Sequence, residues 1–391
     1  EISFEQEVVA FLEANQSDEV MDRNPEHLSQ TVETPAKRAF MTKLADQGWL
    51  GMSWPKEYGG QDKSGIYDFL LTEALARHGC PQPGKGVGIV GKTIIRNGND
   101  VLKEYFLPRI IRGEVEFAIG YSEPQAGSDA ASMQLKAERD EERGGWVLNG
   151  HKWFITGAPY ERCKIFIVMG KSDPDNASRH LQQSQILVPK DTPGVDIVRP
   201  LTTLGYDDAP IGHAEVTFTD VRVPVDNLLL GEGRGFDIAQ SRLAPGRMHH
   251  CMRLIGAGQR SLELACQRVE ERETFGKKLS EHQSIRENIA RSYAELEMAR
   301  LLVHKTCWHI DTHGVKPSIE LISATKITVP KLIQYLIDRC MQMYGAGGLT
   351  EDWCMAEQFN YARWCRQADG PDEVHEMALG KRVIRQYAET E

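Results

Sequence analysis

The chain lacks a basic block, a long apolar run, a Cys-x-x-Cys pair and any internal repeat. Each absence removes a class of function. The net charge is −10, with 46 Lys and Arg against 56 Asp and Glu. Nucleic-acid binding relies on clustered cations, so no nucleic-acid partner is expected. No apolar run approaches the roughly 20 residues that cross a bilayer. The longest, Ile165–Met169 and Leu228–Leu230, are strand-sized, so no membrane span is expected. The eight cysteines are scattered. In a chain of this size that suggests reduced, mostly buried thiols rather than a disulfide framework. The first residues, Glu1-Ile2-Ser3-Phe4-Glu5-Gln6-Glu7, carry no basic stretch followed by an apolar one, so no signal peptide is expected. They also lack Met, and a few residues are expected to precede them. His309 and His313 stand four apart, but no third ligand accompanies them and no metal is expected.

What is present is an ordinary globular composition, 41% apolar and 26% charged over 391 residues. That length predicts two or three domains. Three regions differ in period, giving expected domains at 1–114, 115–230 and 231–391. The first reads helical: Phe40, Leu44 and Ala45 share one face, as do Phe69, Leu70, Ala74 and Leu75. Trp54–Gly60 reads as a loop, and Leu107-Pro108 to Gly113 closes the region. The second has short β-branched and aromatic runs between turn residues: Trp146–Ile155, Lys164–Met169, Gln185–Val188 and Ala214–Val223. A sandwich or barrel follows. In the third, helical periodicity returns. Ile255–Arg272 carries Leu262, Ala265 and Val269 on one stripe. Ser280-Glu281-His282-Gln283 fits a capping box opening a helix to about His313. Pro317 suits the first turn of the next helix, and Pro330 predicts a kink within it. Long helices with short connections imply a bundle. Gly231-Glu232-Gly233-Arg234-Gly235-Phe236 lacks the last glycine of a dinucleotide fingerprint and reads as a strand-to-helix loop.

The most unusual content lies in Tyr121-Ser122-Glu123-Pro124-Gln125-Ala126-Gly127-Ser128-Asp129, answered by Gly145–Ala158. Small, polar and aromatic groups on paired strands suit a wall for a flat cofactor. With Leu107-Pro108-Arg109, Asp220-Val221-Arg222-Val223-Pro224, Arg272–Lys277 and Gln342–Gly348 in order, nearly the whole chain resembles the flavin-dependent acyl-CoA dehydrogenase family. The resemblance implies an α+β fold: an N-terminal helical domain, a middle β-barrel or sandwich domain and a C-terminal four-helix bundle. The segment Ala368-Asp369-Gly370-Pro371-Asp372-Glu373-Val374-His375 is similar to a subgroup found as stand-alone bacterial enzymes and as the C-terminal part of larger eukaryotic proteins.

The family reaction is α,β-dehydrogenation of an acyl-CoA thioester, with FAD as cofactor. A carboxylate takes the α-proton while the β-hydride passes to flavin N5. Donors aimed at the thioester oxygen stabilise the developing enolate. Asp369 falls where the family's glutamate base sits, one methylene shorter. The family's alternative base position aligns with Gly246, which has no side chain to serve. Gly370 and Arg247 align near the thioester, and Ser128 near the pantetheine arm, as substrate contacts. For Arg247 a surface salt bridge is the plainer alternative. Ile119, Tyr121 and Ser122 align with the isoalloxazine edge. Phe154 stands where a Trp often stacks on the ring, and Thr156 near N5. Arg272, Thr274 and Phe275, with Gln342 and Ala346, align with FAD contacts made across subunits, Arg suiting phosphate oxygens. Gln283, Pro371 and Glu373 align with further flavin contacts, although Pro371 replaces a hydroxyl-bearing Thr. Glu123-Pro124 and Asp129 read as turn formers.

The resemblance therefore implies a homo-oligomer, dimer or tetramer, in fatty acid β-oxidation, passing electrons to an electron-transfer flavoprotein. Its location would be the cytoplasm, or the mitochondrial matrix or a peroxisome in a eukaryote. The subgroup implies acyl chains bearing a 4-hydroxyl or its phosphate. Arg242, His249 and His250 could read such a group, with helix packing as the alternative. The same fold also suits a flavin oxidase acting on nitroalkanes, a flavin monooxygenase, or a non-catalytic scaffold.

Overall fold

The computed structural model describes residues 2–21, 34–84, 86–114, 116–205 and 212–388. Glu1, Val115 and Glu391, at the ends of the expected domains, lie outside the described residues. Helices come first. In α1 (Ile2–Asn15), Phe4, Val8 and Leu12 recur every four residues and are buried. In α2 (Pro35–Asp46), Thr34 accepts a hydrogen bond from Lys37 N at 3.2 Å, and Pro35 sets the first turn. Its Phe40 and Leu44 are buried. In α3 (Gly65–His78), Phe69, Ala74 and Leu75 are buried. Two shorter helices, α4 (Gly91–Asn97) and α5 (Asp100–Ile111), follow. Pro108 lies inside α5 rather than ending it. The Trp54–Gly60 loop contains one 3-10 turn, Lys56–Tyr58.

Among the described residues, seven strands form the middle: β1 (Glu116–Gly120), β2 (Lys136–Asp140), β3 (Gly145–Thr156), β4 (Cys163–Lys171), β5 (Gln183–Pro189), β6 (Val195–Leu201) and β7 (His213–Pro224). The order is β1-β4-β2-β3-β7-β6, with β5 also on β4. Two leaves, β1-β4-β5 and β2-β3-β7-β6, join where Lys136 pairs with Lys171. Phe166, Val168, Ile186 and Val188 of one leaf share a core with Trp146, Leu148, Val216 and Phe218 of the other, so the sheet folds over itself. Along β3 the register with β7 shifts between Leu148 and Gly150, and again between Lys152 and Ile155. Such bulges re-aim side chains. Phe154 sits in the second, at φ +51°, with 39% of its surface exposed.

The last region begins with α6 (Gly235–Glu271), far upstream of the stretch whose periodicity marked it. Pro245 lies inside, and the carbonyl its missing N–H leaves free, that of Ser241, accepts from Arg96 Nη1 at 3.4 Å. The Gly231–Arg234 loop leads into α6 as expected. At Gly256 a Cβ would lie 2.3 Å from Glu73 O, so only glycine lets α6 approach α3 this closely. A two-strand hairpin, β8 (Glu273–Thr274) with β9 (Lys277–Lys278), leads to α7 (Gln283–His313). Gln283 opens α7 itself, after a 3-10 turn at Leu279–Glu281, and the N-cap is His282 with no side-chain cap; the Ser280–Gln283 capping box does not form. Pro317 precedes α8 (Ile319–Tyr344), and Pro330 lies within it without ending it. Then come α9 (Met355–Cys365) and α10 (Asp372–Ala388). Helices α6, α7, α8 and α9 share a buried core, and α10 adds against α8. Among the described residues, no helix is long and apolar enough to cross a membrane.

Candidate active site

Asp369 and Gly370 occupy the turn between α9 and α10, at φ +55° and +105°. This backbone is held from several sides. Arg247 Nε on α6 donates to Asp369 O at 2.9 Å, and His375 Nε2 lies 3.3 Å from the same oxygen. Burial pushes His375 down to about 4, so the ring is neutral. Buried Lys326 Nζ donates to Cys365 O and, at 3.4 Å, to Gly370 O. A Cβ on Gly370 would lie 2.8 Å from His375 Nε2, in a backbone region that side chains rarely adopt. Arg247 is therefore a clamp on the turn, not a surface ion pair.

The Asp369 side chain is 14% exposed, with Oδ1 3.5 Å from Arg242 Nη2 and Oδ2 3.6 Å from His250 Nε2. Burial alone would raise its pKa, but Arg242, His250 and Arg247 outweigh burial and hold the carboxyl well below the usual range. His250 is pushed down by burial, despite Asp369. A Cβ on Gly246 would lie 2.9 Å from Asp369 Oδ2 and 3.8 Å from Ile89 Cδ1. Gly246 and the Asp369 carboxylate thus face each other, and the missing side chain leaves the carboxylate room. Three residues along α6, His249 lines a cavity of about 530 Å³ between the N-terminal helices and the bundle. Lys92, 3.0 Å from Asp68, lines it too.

The strand wall is fixed from behind by a buried ion pair. Lys152 Nζ lies 2.8 Å from Glu123 Oε1 and donates to Tyr121 O at 3.0 Å. Glu123 also accepts from Gln134 N at 2.6 Å and Leu135 N at 2.9 Å. Burial raises the Glu123 carboxyl, but Lys152 and these N–H groups hold it below its ordinary value. Glu123 is thus the anchor of the wall rather than a turn former alone. Asp129 sits on the surface, paired with Arg179. Half-buried Ile119, Tyr121 and Ser122 follow one another along the wall. The Tyr121 ring lies 5.1 Å from the Arg242 guanidinium, which links the wall to Asp369. Thr156 Oγ1 is 2.8 Å from His213 Nδ1 on β7.

The remaining expected contacts stand apart. Arg272, Phe275, Gln283, Gln342 and Ala346 are exposed, and Thr274 is half-exposed. Phe275 turns the hairpin at φ +52° with 97% of its surface free. Gln283 donates to Glu287 at 3.0 Å. Ser128 and Glu373 are exposed, and Pro371 accepts from Val374 N and His375 N at the start of α10. The structure also brings in His213, Trp364 and Lys326, which carried no sequence signal because their partners are distant in the chain, and sets His375, marked only as the end of the 368–375 segment, beside the Asp369 carbonyl.

A strand wall bearing aromatic and hydroxyl groups thus stands beside a buried carboxylate, in an α–β–α chain. The N-terminal, middle and C-terminal domain descriptions of one family match residues 3–114, 118–221 and 233–384. The chain belongs to the acyl-CoA dehydrogenase family. It is 47% identical over 292 residues to "Acyl-CoA dehydrogenase family member 10" of Mus musculus, covering 75% of this chain but 27% of the mouse protein. It is 42% identical over 294 residues to "Probable acyl-CoA dehydrogenase FadE2" of Mycobacterium tuberculosis, covering 75% of this chain and 71% of that one. The chain thus spans about a quarter of the mouse relative's length. A crystal structure of acyl-CoA dehydrogenase from Geobacillus kaustophilus superposes with a TM-score of 0.83 at 26% identity, covering 97% of each chain. Members of the family are FAD-dependent flavoproteins. The site fits that group: a phenyl ring turned outward by a bulge stands two residues from an oriented hydroxyl, on a wall held by a buried ion pair.

Proposed function

We propose that the protein removes two hydrogens from the α and β carbons of an acyl-CoA thioester, with Asp369 as the base. The observation that carries this is the carboxylate itself, buried between α6 and the wall, opposite a glycine that leaves it space. Asp369 breaks the α C–H bond by taking the proton, and the electron pair forms the new double bond as the β-hydride departs. Bound FAD supplies the acceptor for that hydride. The chain's own residues bind, orient and exclude water. Arg247, His375 and Lys326 fix the height of Asp369 through its own and neighbouring carbonyls. Ile119, Tyr121, Ser122, Phe154 and Thr156 would line the flavin ring, and Gly370 and Ser128 the thioester and its pantetheine arm. Arg272, Thr274, Phe275, Gln283, Gln342 and Ala346, exposed or half-exposed in one chain, would complete the FAD site in a homo-oligomer, with Pro371 and Glu373 at its margin. The electrons would leave to an electron-transfer flavoprotein.

The test is Asp369→Ala. The variant should purify yellow, yet its flavin absorbance should not bleach when acyl-CoA is added without air. Bleaching at the rate of the unmodified protein would remove Asp369 as the base. Fast reoxidation of the reduced protein by air would favour an oxidase instead.

A 4-hydroxyl or 4-phosphate on the acyl chain is supported by one observation. Arg242, buried apart from 9% of its side chain, holds its guanidinium beside Asp369 Oδ1, with His250 beside Oδ2. A panel of CoA esters with and without the substituent decides it, since equal reduction rates would exclude any recognition of the group.

A further inference from the structure

His213 is fully buried at the start of β7, paired across the sheet with Thr156. Its Nδ1 is 2.8 Å from Thr156 Oγ1. Its ring stacks on Trp364 of α9 at 5.5 Å and 21°. Trp364 stacks in turn on Tyr361 at 6.2 Å and 16°. The Tyr361 hydroxyl is 2.8 Å from His250 Nδ1, and His250 Nε2 is 3.6 Å from Asp369. The Phe154 ring also lies 5.9 Å from His213. One run of contacts therefore joins the strand wall to the helix that ends in the base-bearing turn, and His213 is the member that touches both sides.

We propose that His213 is a positioning residue: its Nδ1 fixes the Thr156 hydroxyl toward the flavin, and its ring, through Trp364, seats the Asp369 turn over the wall. The inference rests on the reading of Thr156 as part of the flavin site. A threonine hydroxyl rotates to suit its surroundings. Beside an imidazole nitrogen it has one choice. If Nδ1 carries the proton, Thr156 Oγ1 accepts the hydrogen bond and its own proton points away from the ring. If Nδ1 is bare, Thr156 donates inward and offers lone pairs outward. Either tautomer gives the hydroxyl a single character at the cofactor face. The stack acts separately, because offset parallel rings lock the approach of two elements.

Two substitutions separate the roles. His213→Phe keeps a ring against Trp364 and deletes the nitrogen. His213→Asn keeps an amide near the place of Nδ1 and deletes the ring. His213→Phe should retain FAD, but shift the visible spectrum and midpoint potential of the bound flavin, and slow anaerobic reduction about tenfold, the effect of one hydrogen bond. Thr156→Val should reproduce the same shifts, and the double variant should add nothing to either. His213→Asn should keep the spectrum and potential while reduction slows, because the base turn loosens. Spectrum and potential in His213→Phe equal to the unmodified protein, or shifts that add in the double variant, would overturn the proposal. If His213→Phe does not fold, His213→Asn decides: a spectrum displaced as far as that of Thr156→Val overturns it, and an unshifted one supports it. The spectral and potential readings need no substrate. Failure of the dehydrogenase reading would appear separately, as an unmodified flavin that acyl-CoA does not bleach.

Discussion

Replacing Glu123 with Gln tests whether the strand wall depends on its buried charge. Lys152 and Glu123 are 0% and 2% exposed. The carboxylate accepts from Lys152 Nζ and Leu135 N on Oε1, and from Gln134 N and Gln125 Nε2 on Oε2. A glutamine keeps one acceptor and turns an NH₂ toward two donors, leaving the ammonium without a counter-ion. Removing one partner of a buried pair costs about 3–5 kcal/mol. At roughly 2 °C per kcal/mol, Tm should fall by about 6–10 °C. Thermal melts of the FAD-loaded protein measure this, with Glu123→Leu/Lys152→Met as control. An apolar pair of similar volume should recover most of the loss. The sign with pH is also fixed. The folded carboxyl sits below its ordinary 4.5, so its stabilisation is present above that value and is lost as pH falls through the lowered one. The gap between Glu123→Gln and the unmodified protein should close in acid. A variant melting within a degree of the unmodified protein would show that the pair contributes nothing to the wall.

Three further outcomes follow from the site. Gly246→Ala places a methyl 2.9 Å from Asp369 Oδ2, and anaerobic flavin reduction should slow at least tenfold while Tm changes by only a few degrees; an unaltered rate would show that the carboxylate lies elsewhere during reaction. Asp369 is held well below the usual carboxylate range and His250, by burial, below its own, so neither group should change charge in the free protein on the alkaline side of the ordinary imidazole range. kcat/KM should show no acid limb there that His250→Asn removes, and such a limb would refute the assignment. Phe275→Ala removes a side chain that is 97% exposed in one chain, so it should leave helix content intact but weaken FAD retention and subunit association, read by gel filtration and flavin release.

The helical and strand periods were legible wherever burial follows a regular face. Phe40 and Leu44, or Trp146 and Leu148, alternate as their elements require. What the chain alone did not show are the places where a distant group repairs a local defect. Pro245 lies within α6, where Arg96, distant in sequence, takes the carbonyl it orphans. Ser280 has capping spacing, but its carbonyl is taken by Arg286 Nε at 2.7 Å and the helix starts three residues later. Glu123 looks like a turn residue because Lys152, its counter-ion, is far away in sequence. His213 gives no signal, since its two partners come from β3 and α9. Asp369, Arg242, Arg247 and His250 were all singled out in the sequence, but not that Arg242 and His250 stand 3.5 and 3.6 Å from the Asp369 carboxylate.

Those cations set a problem that the short base helps to resolve. Each unit by which a carboxylate's pKa is lowered costs about 1.4 kcal/mol of basicity. Arg242 therefore makes Asp369 reliably ionised and, for the same reason, a weak base. For the proposed base, abstraction of an α-proton would demand that the guanidinium turn away, or that burial deepen, as the acyl chain binds. The side chains permit the first. Arg242 reaches Oδ1 at 3.5 Å, which is long for a charge-assisted bond, and its other neighbour is the Tyr121 ring rather than a second carboxylate. Glycine at 246 gives the carboxylate room on its Oδ2 side, so the two can part without a collision. An anionic or hydroxyl-bearing acyl chain would compete with Asp369 for Arg242 and free the base as it binds. A plain chain would have to do so by dehydration alone. Under the proposed function, the cation that weakens the base would then be the group that discriminates between the two kinds of substrate.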